Sequence, residues 1–299
     1  MLFRKVDDLR FGLYCPTFGE YSDPKYLVEL AQLAENSGWD GFFIWDHILL
    51  TGSGLPVADA ITTLAAIASK TDQIKLGPMV TPIPRRRPWK LAKELITLDH
   101  LSGGRIVLGA GIGNPDWEFT LFGEDPSLSV RAEKLDEGLE IISQMCSGEI
   151  EYYGKHYEVQ SEKIGPASLQ KPRIPVWIAG TYGFKAPFRR ATRWDGVFPL
   201  RMNIDELLQP SESIRNWSSM WLNPSQLSEI KEIVLRIRGS LDGFDVVNSG
   251  STLRDSAKAA EEKVKIYENV GASWWLEWIL DDPSLVDDYK ELIMKGPPR

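Results

Sequence analysis

The sequence predicts an α/β protein that forms a closed (β/α)8 barrel, with a small hairpin inserted after the fourth helix. Strand-like and helix-like segments alternate from end to end, in about eight units, the number that closes a parallel barrel. The strands are near-continuous apolar runs, which is typical of parallel strands covered on both faces. The 299 residues suit one large barrel. We therefore predict a single domain over residues 1–299, with an insertion at about 149–172.

Before the insertion, the helical segments carry apolar residues at the i, i+3, i+4, i+7 spacing of an amphipathic helix. Asp23 and Pro24 are typical of a helix start, and Gly38 of a helix end. We predict strands at 9–16, 41–45, 74–80 and 105–111, and helices at 23–38, 57–70, 88–101 and 130–146.

The alternation is interrupted at 151–160, where tyrosines surround Gly154 and favour a hairpin. It then resumes through the end of the chain. We predict strands at 176–179, 196–200, 244–248 and 274–279, and helices at 186–194, 205–238 (interrupted near Asn223 and Pro224), 253–269 and 286–294.

An open, doubly wound sheet is the alternative architecture. Its dinucleotide-binding glycines should follow the first strand, but residues 14–19 contain no such loop. The glycines at 109, 111 and 113 have a different spacing and come at the fourth strand. A nicotinamide-binding domain of this type is therefore disfavoured.

Composition excludes several classes of function. The formal net charge of −8 argues against a nucleic-acid partner, so we interpret the basic run Arg85–Arg87 as a solvated helix entrance. Two cysteines and three histidines give neither a disulfide framework nor metal-ligand spacing. Without a signal peptide or an apolar run long enough to cross a membrane, we expect a cytoplasmic protein.

In a barrel of this type the functional side chains lie at the carboxyl ends of the strands. His47 follows the second strand and is the strongest candidate for moving a proton. Asp46 either orients His47 or caps the loop. Glu277, in an aromatic strand, is either a desolvated acid or base or the partner of a barrel arginine. The aromatic residues Trp45 and Trp278 are placed to form pocket walls.

Small residues at other strand ends favour a flat ligand that approaches the backbone closely. A phosphate would need backbone N–H groups at a helix start together with a cation, and Lys185 and Arg201 are the candidate cations. The candidate cofactor-binding residues are Trp45, Met79, Val80, Thr81, Gly111, Gly113, Ala179, Gly180, Thr181, Lys185, Leu200 and Arg201.

Taken in order, four segments resemble the luciferase-like flavin-dependent oxidoreductases, a β/α-barrel family that uses FMN or a deazaflavin. They are GFFIWDH at 41–47, LGPMVTP at 76–82, LDHLSGGR at 98–105 with the glycine-rich strand after it, and PVWIAG at 175–180. The resemblance implies a flavin-type ring against a bulge at 79–81, often with a non-prolyl cis peptide. It also implies a homodimer supported by the second and third helices and Trp89.

The pair Asp46 and His47 is most similar to the branch of the family that uses the deazaflavin coenzyme F-420, which we prefer over FMN. Some deazaflavin dehydrogenases carry a glutamate after the strand-four glycines, where this chain has Asn114. An amide cannot donate a proton as an acid but can hydrogen-bond an oxyanion. This difference disfavours a sugar-phosphate dehydrogenase mechanism, although Asp116 or Glu118 are possible replacements.

The sequence therefore predicts a flavin- or deazaflavin-dependent oxidoreductase, acting by hydride transfer or monooxygenation on a small organic substrate. The predicted catalytic residues are His47, Asp46, Asn114 and Glu277, and no metal is expected. Two alternatives stay open: a flavin-binding barrel protein without turnover, and a barrel hydrolase that uses Asp46 and Glu277 as a carboxylate pair.

Overall fold

A computed structural model of the protein describes residues 9–50, 53–201, 220–279 and 286–299, the last of these with backbone only at 286–288. The strands are β1 Arg10–Cys15, β2 Gly41–Ile44, β3 Lys75–Pro78, β4 Thr81–Pro82, β5 Leu108–Gly111, β6 Glu149–Tyr153, β7 Glu158–Lys163, β8 Val176–Thr181, β9 Gly196–Leu200, β10 Asp245–Gly250 and β11 Trp274–Trp278. The helices are α1 Pro24–Asn36, α2 Ala60–Ala68, α3 Pro88–Ser102, α4 Trp117–Thr120, α5 Leu128–Ser147, α6 Lys185–Ala191, α7 Pro224–Arg238, α8 Ala257–Asn269 and α9 Val286–Met294.

Nine strands form one sheet in the order β3-β2-β1-β11-β10-β9-β8-β5-β4. Apart from β1 and β11, neighbouring strands in the sheet follow one another in the chain and are connected through helices. The strands at the two ends of this order, β3 and β4, are separated by only two residues in the sequence. Leu76 of β3 also forms a parallel bridge with Ile106, just before β5. This arrangement confirms the predicted (β/α)8 TIM-barrel class.

The described chain divides into two compact units. The first unit consists of Met1–Cys15, Leu33–Phe42 and Trp177–Arg299. Within it β8, β9, β10, β11 and β1 pair in parallel, with Gly196 opposite Trp177 and Trp274 opposite Arg10. Its interior is rich in large side chains that are almost fully buried: Leu13, Trp177, Phe198, Trp274, Trp275 and Trp278.

The second unit consists of Pro16–Gln32 and Phe43–Val176. Its helix α3 packs against α2 and α5. Helix α3 has proline in its first turn and ends at Gly103, whose φ of 67° is left-handed, as is common at helix ends. The apolar stripe of α3 is buried, in agreement with the predicted period: Leu91, Ala92, Leu95, Ile96 and Leu98.

The predicted hairpin is present as the antiparallel pair β6 and β7. Glu137 of α5 accepts hydrogen bonds from the backbone N–H groups of Lys155, His156 and Tyr157 at the turn. Nε2 of His156 also lies 2.7 Å from Glu133. Two carboxylates of the preceding helix, Glu133 and Glu137, therefore hold the hairpin turn.

Several predicted boundaries were wrong, because capping hydrogen bonds set the residue at which a helix begins and the apolar pattern does not. Helix α2 begins at Ala60 rather than at 57, since Asp59 caps it by accepting from Thr62 N–H. Helix α8 begins at 257 rather than at 253, since Ser256 accepts from Ala259 N–H. The short helix α4 was not predicted. The predicted helix at 205–219 lies outside the described residues, and the predicted interruption near Asn223 and Pro224 is the point where α7 begins, with Asn223 as its N-cap.

The fourth barrel strand begins at Leu108 instead of the predicted 105. Arg105 is buried and its guanidinium donates to backbone carbonyls of Ala68, Thr71 and Ile74. These bonds hold the segment between α2 and β3 against the end of α3. The arginine therefore satisfies carbonyl groups that would otherwise be buried without donors.

Gly77 of β3 is a close-approach glycine, and replacing it tests the packing of the second unit. A Cβ at position 77 would overlap the carbonyl oxygen of Val107. Because this atom belongs to the backbone, it cannot move aside as the end of a flexible side chain could. We expect Gly77→Ala to lower the free energy of unfolding by roughly 1–3 kcal/mol, measured by urea denaturation. A Cβ at Gly165 would have no heavy atom within 4 Å. Gly165→Ala should therefore change stability by less than about 0.5 kcal/mol, and equal effects at the two sites would contradict this packing.

Candidate active site

Strands β3 and β4 are separated by Met79 and Val80, whose peptide bond is cis. Met79 is fully buried and its N–H donates to the carbonyl of Ile44 at 2.7 Å, whereas Val80 is half-buried. A Cβ on Gly109 would lie 2.5 Å from Sδ of Met79, so glycine allows β5 to approach this bulge. The cis peptide that the family resemblance implied therefore lies at the expected position.

Asp46, at the end of β2, lies beside the bulge with its side chain only 3% exposed. Its carboxylate accepts hydrogen bonds from Thr81 Oγ1 at 2.9 Å, from Arg86 at 2.8 Å and from Arg85 at 3.3 Å. Among the described contacts it makes none with His47. Of the two roles predicted for Asp46, these contacts favour holding the loops at the strand ends over orienting His47.

The interpretation of Arg85–Arg87 as a solvated helix entrance was wrong for its first two members. The Arg85 side chain is 4% exposed and forms ion pairs with Asp46 and Glu118, and Arg86 pairs with Asp46. Only Arg87, at the start of α3, is exposed. Arg85 and Arg86 are withdrawn from solvent because they pair with the buried carboxylates of Asp46 and Glu118. The sequence next to the arginines does not indicate these partners.

Glu118 lies in α4 and is completely buried. Its Oε1 accepts from the backbone N–H groups of Ile48 at 2.7 Å and Leu49 at 3.3 Å, and its Oε2 accepts from Arg85. Burial raises the pKa of Glu118, but the contact with His47, the charge of Arg85 and the Ile48 N–H together bring it below its usual value. The residue is therefore a carboxylate at neutral pH.

His47 is the predicted residue that Glu118 contacts. Nδ1 of His47 is shielded from solvent and lies 3.3 Å from Oε2 of Glu118, an ion-pair distance without ideal hydrogen-bond geometry. The imidazole packs edge-on against Trp45, with ring centroids 5.9 Å apart, and its side chain stays 22% exposed. One ring nitrogen thus faces a buried carboxylate, and part of the side chain remains exposed to solvent.

The loop after β5 is held by Arg131 of α5, which is buried against the ring of Phe119. Arg131 donates to the carbonyl of Gly113 at 2.9 Å and to Asp116 at 2.6 Å. Gly113 has a φ of 85°, and a Cβ there would meet Phe119 at 2.8 Å. Conformation and packing therefore both account for this glycine, while Asn114 beside it is half-buried.

In the first unit, Glu277 of β11 is completely buried. It accepts hydrogen bonds from the N–H and hydroxyl of Thr252, from Leu253 N–H and from the indole of Trp275. Among the described residues these four donors, and no arginine, contact the carboxyl group. Burial raises the pKa of Glu277, and the hydrogen bonds offset part of that rise.

Trp278, predicted as a pocket wall, is buried in an aromatic cluster of the first unit. Its ring contacts Tyr14 edge-on at 5.1 Å and Trp221 at 6.4 Å, and Tyr14 contacts Phe198. These contacts make Trp278 part of the core of this unit.

The candidate phosphate residues lie at the ends of β8 and β9. Thr181 is opposite Leu200 in the parallel register, and the N–H of Tyr182 donates to the carbonyl of Leu200 at 2.8 Å. Ala179, Gly180 and Thr181 are half-buried, while Lys185 and Arg201 are exposed. A Cβ on Gly180 would overlap Pro187, so helix packing alone accounts for that glycine.

The structure thus brings together Trp45, Asp46, His47, Met79, Val80 and Thr81 in the second unit, with Gly111, Gly113 and Asn114 on the neighbouring strand end. It brings together Ala179, Gly180, Thr181, Lys185, Leu200 and Arg201 in the first unit, on the two neighbouring strand ends, with Glu277 on another. The sequence analysis named Glu118 only as a replacement for the glutamate absent at position 114, and its contacts with Arg85, His47 and the 48–49 backbone were not predicted. Its sequence signal is weak: an acidic residue in a four-residue helix.

A parallel barrel with a bulged strand end and a partly exposed histidine is an architecture suited to a planar redox cofactor. The chain belongs to the luciferase-like monooxygenase family, whose sequence pattern matches residues 9–209. Known relatives include F420-dependent dehydrogenases and flavin-dependent monooxygenases.

The chain is 33% identical over 178 residues to an F420-dependent glucose-6-phosphate dehydrogenase of Microbacterium testaceum. The match covers 58% of this chain and 51% of the relative, so the chain spans about half the length of this relative.

Two solved structures share the fold over nearly the whole chain. The F420-dependent tetrahydromethanopterin reductase of Methanopyrus kandleri has a TM-score of 0.74 and 18% identity, and the match covers 97% of this chain and 98% of the other. The oxygenating constituent of 3,6-diketocamphane monooxygenase of Pseudomonas putida, in complex with FMN, has a TM-score of 0.71 and 15% identity, covering 96% and 97%. Within the described residues, no helix has the length and apolar character to span a bilayer.

The lowered pKa of Glu118 predicts a pH-dependent contribution to stability. Because the folded-state pKa lies below the usual value of 4.5, this contribution is present above pH 4.5 and is lost as the pH falls through the folded-state pKa. We expect Glu118→Gln to cost about 3 kcal/mol at neutral pH, where Arg85 loses a buried partner, and progressively less in acid. Urea unfolding of the unaltered protein and of Glu118→Gln, from neutral pH to below pH 4.5, measures the difference in the free energy of unfolding.

The control for this prediction is Asp116→Asn. Asp116 also pairs with an arginine, but its side chain is 61% exposed. Its substitution should cost less than about 1 kcal/mol at any pH. A cost for Glu118→Gln that stays constant from neutral pH into the acid range would contradict the assignment of a buried carboxylate.

Proposed function

We propose that the protein is a flavin- or deazaflavin-dependent oxidoreductase that acts on a small organic substrate, with coenzyme F-420 preferred and FMN as the alternative cofactor. The observation that carries the proposal is the partly exposed His47, which contacts the buried carboxylate of Glu118, at the strand ends that include the bulge at Met79 and Val80. Membership of the family and the F420-dependent relatives support it.

The bulge residues fit one face of a flat ring. Val80 is half-buried while Met79 and Thr81 on either side are buried, so Val80 is the side chain left to contact a ring. Trp45 supports the imidazole of His47 from the side. When bound, the cofactor would accept or donate a hydride, and His47 would take or return the proton that accompanies hydride transfer.

The small residues at the ends of β8 and β9 fit the phosphate end of the cofactor. Gly180 and Thr181 are partly accessible; the exposed Lys185 follows them in the chain, and the exposed Arg201 follows Leu200, the residue opposite Thr181 in the neighbouring strand. Backbone N–H groups with a nearby cation are the donor set that a phosphate monoester requires.

The preference for F-420 rests on the sequence pair Asp46 and His47 and on the F420-dependent relatives. Asn114 occupies the position at which the family resemblance implies a glutamate in some deazaflavin dehydrogenases. We therefore propose a substrate other than a sugar phosphate. A single barrel domain, a cytoplasmic location and a homodimer remain part of the proposal.

The alternative of a hydrolase with Asp46 and Glu277 as its carboxylate pair has less support. Two arginines and a threonine already engage the Asp46 carboxylate, and four donors surround that of Glu277. Carboxylates in such settings have few acceptor positions left for a nucleophilic water. The other alternative, a flavin-binding protein without turnover, is an outcome of the next experiment.

Cofactor binding tests the proposal directly. We expect the purified protein to bind coenzyme F-420 more tightly than FMN in a titration followed by ring absorbance and fluorescence. Tight FMN binding with none for F-420 would contradict the cofactor preference. Binding of neither would contradict the proposed function, and binding without reduction by any donor would favour the non-catalytic alternative.

A substitution of His47 separates a catalytic role from a structural one. We expect His47→Ala to lower turnover by roughly 10²–10⁴-fold, the usual contribution of a general acid or base, with a much smaller loss of thermal stability. His100 is the matched control, because its Nε2 contacts the carbonyl of Ala167 at an exposed position. His100→Ala should leave turnover unchanged. Parallel losses of activity and stability in His47→Ala would assign it a structural role.

A further inference from the structure

The two oxygens of the Glu118 carboxylate have different neighbours. Oε1 is occupied by the backbone N–H groups of Ile48 and Leu49. Oε2 receives Arg85 and is also the atom that faces Nδ1 of His47 at 3.3 Å. Nδ1 is buried and has no other hydrogen-bond partner among the described residues. Because buried polar atoms are almost always paired, Oε2 is its natural acceptor.

An ionised carboxylate accepts hydrogen bonds and cannot donate them. The ring nitrogen that faces it must therefore carry a proton. We propose that Glu118 is the positioning residue of His47: it holds the imidazole with the proton on Nδ1 and leaves Nε2 free. That Nε2 then exchanges a proton at the substrate or cofactor rests on the proposed function.

Two other carboxylates close to His47 and Glu118 in the sequence are already engaged by arginines. Asp46 is bound by Arg86, Arg85 and Thr81, and Asp116 is bound by Arg131. Arg85 pairs with the same Glu118 carboxylate.

The remaining two histidines provide an internal contrast. Nε2 of His100 lies 2.8 Å from the carbonyl oxygen of Ala167, and Nε2 of His156 lies 2.7 Å from Glu133. Both partners are acceptors, so both of these imidazoles carry a proton on Nε2. The chain has three histidines, and His47 is expected to be the one with the opposite tautomer.

The test is a ¹⁵N NMR spectrum of the cofactor-free protein labelled at histidine. It is recorded at about pH 8.5, well above the usual histidine pKa of about 6.5, where imidazoles are neutral. The ring ¹⁵N shifts distinguish protonated from unprotonated nitrogens. His100→Gln and His156→Gln assign the signals. We expect one Nδ1–H tautomer, from His47, and two Nε2–H tautomers.

Glu118→Gln tests the cause of the tautomer. With its amide oxygen on Ile48 and Leu49, glutamine would present an N–H donor to Nδ1, so we expect His47 to change to the Nε2–H tautomer. Asp116→Asn, two residues away, should leave it unchanged. Glu118→Asp, which keeps the charge, should retain more of the Nδ1–H form than glutamine does.

An Nε2–H tautomer for His47 in the unaltered protein would overturn the proposal, and this outcome does not depend on the Glu118 variants folding. An unchanged tautomer in folded Glu118→Gln would overturn the role of Glu118. Since all spectra are of the protein without cofactor, a failure to bind F-420 or FMN would refute the proposed function and leave the tautomer assignment standing.

Discussion

The candidate site depends on one guanidinium, that of Arg85, which joins two buried carboxylates from different loops. Asp46 follows β2, Glu118 lies in the loop after β5, and Arg85 follows β4. Taking such groups out of water is costly, and their mutual attraction offsets the cost only when each remaining lone pair finds a donor. Here Thr81, Arg86 and two backbone N–H groups supply those donors. The three loops are therefore joined to one another by charged hydrogen bonds.

This constraint explains why a partly exposed imidazole can have a defined direction. The His47 imidazole packs against the ring of Trp45 and keeps part of its surface exposed, and loops at strand ends are usually the mobile part of a barrel. Glu118 limits the ring from one side, and the hydrogen bonds that Glu118 accepts from Ile48 and Leu49 hold the adjacent chain. Transfer of a proton requires positioning within tenths of an ångström, and supporting contacts of this kind provide it.

The barrel was predictable because parallel strands and amphipathic helices leave a regular apolar pattern in the sequence. That pattern locates α3 and the strand at 196–200 almost to the residue. The pattern gives the wrong boundary where side-chain hydrogen bonds to the backbone set it. Asp59 and Ser256 cap helices that begin later than the apolar residues predict, and Arg105 binds backbone carbonyls just before β5. The ion pairs of Arg85 and Arg86 were not predictable, because their partners lie about 33–40 positions away along the chain. Glu118 shows the same limit, since a helix of one turn has no periodicity to detect.

A double-mutant cycle on Arg85 and Glu118 tests the central claim most directly. The free energy of unfolding is measured for the unaltered chain, Arg85→Met, Glu118→Gln and the double variant. If the buried pair holds the loops together, the two substitutions should be strongly non-additive, with a coupling energy of about 1–3 kcal/mol. Additivity within about 0.5 kcal/mol would mean that the two side chains contribute independently, and the charge network could not be what fixes His47.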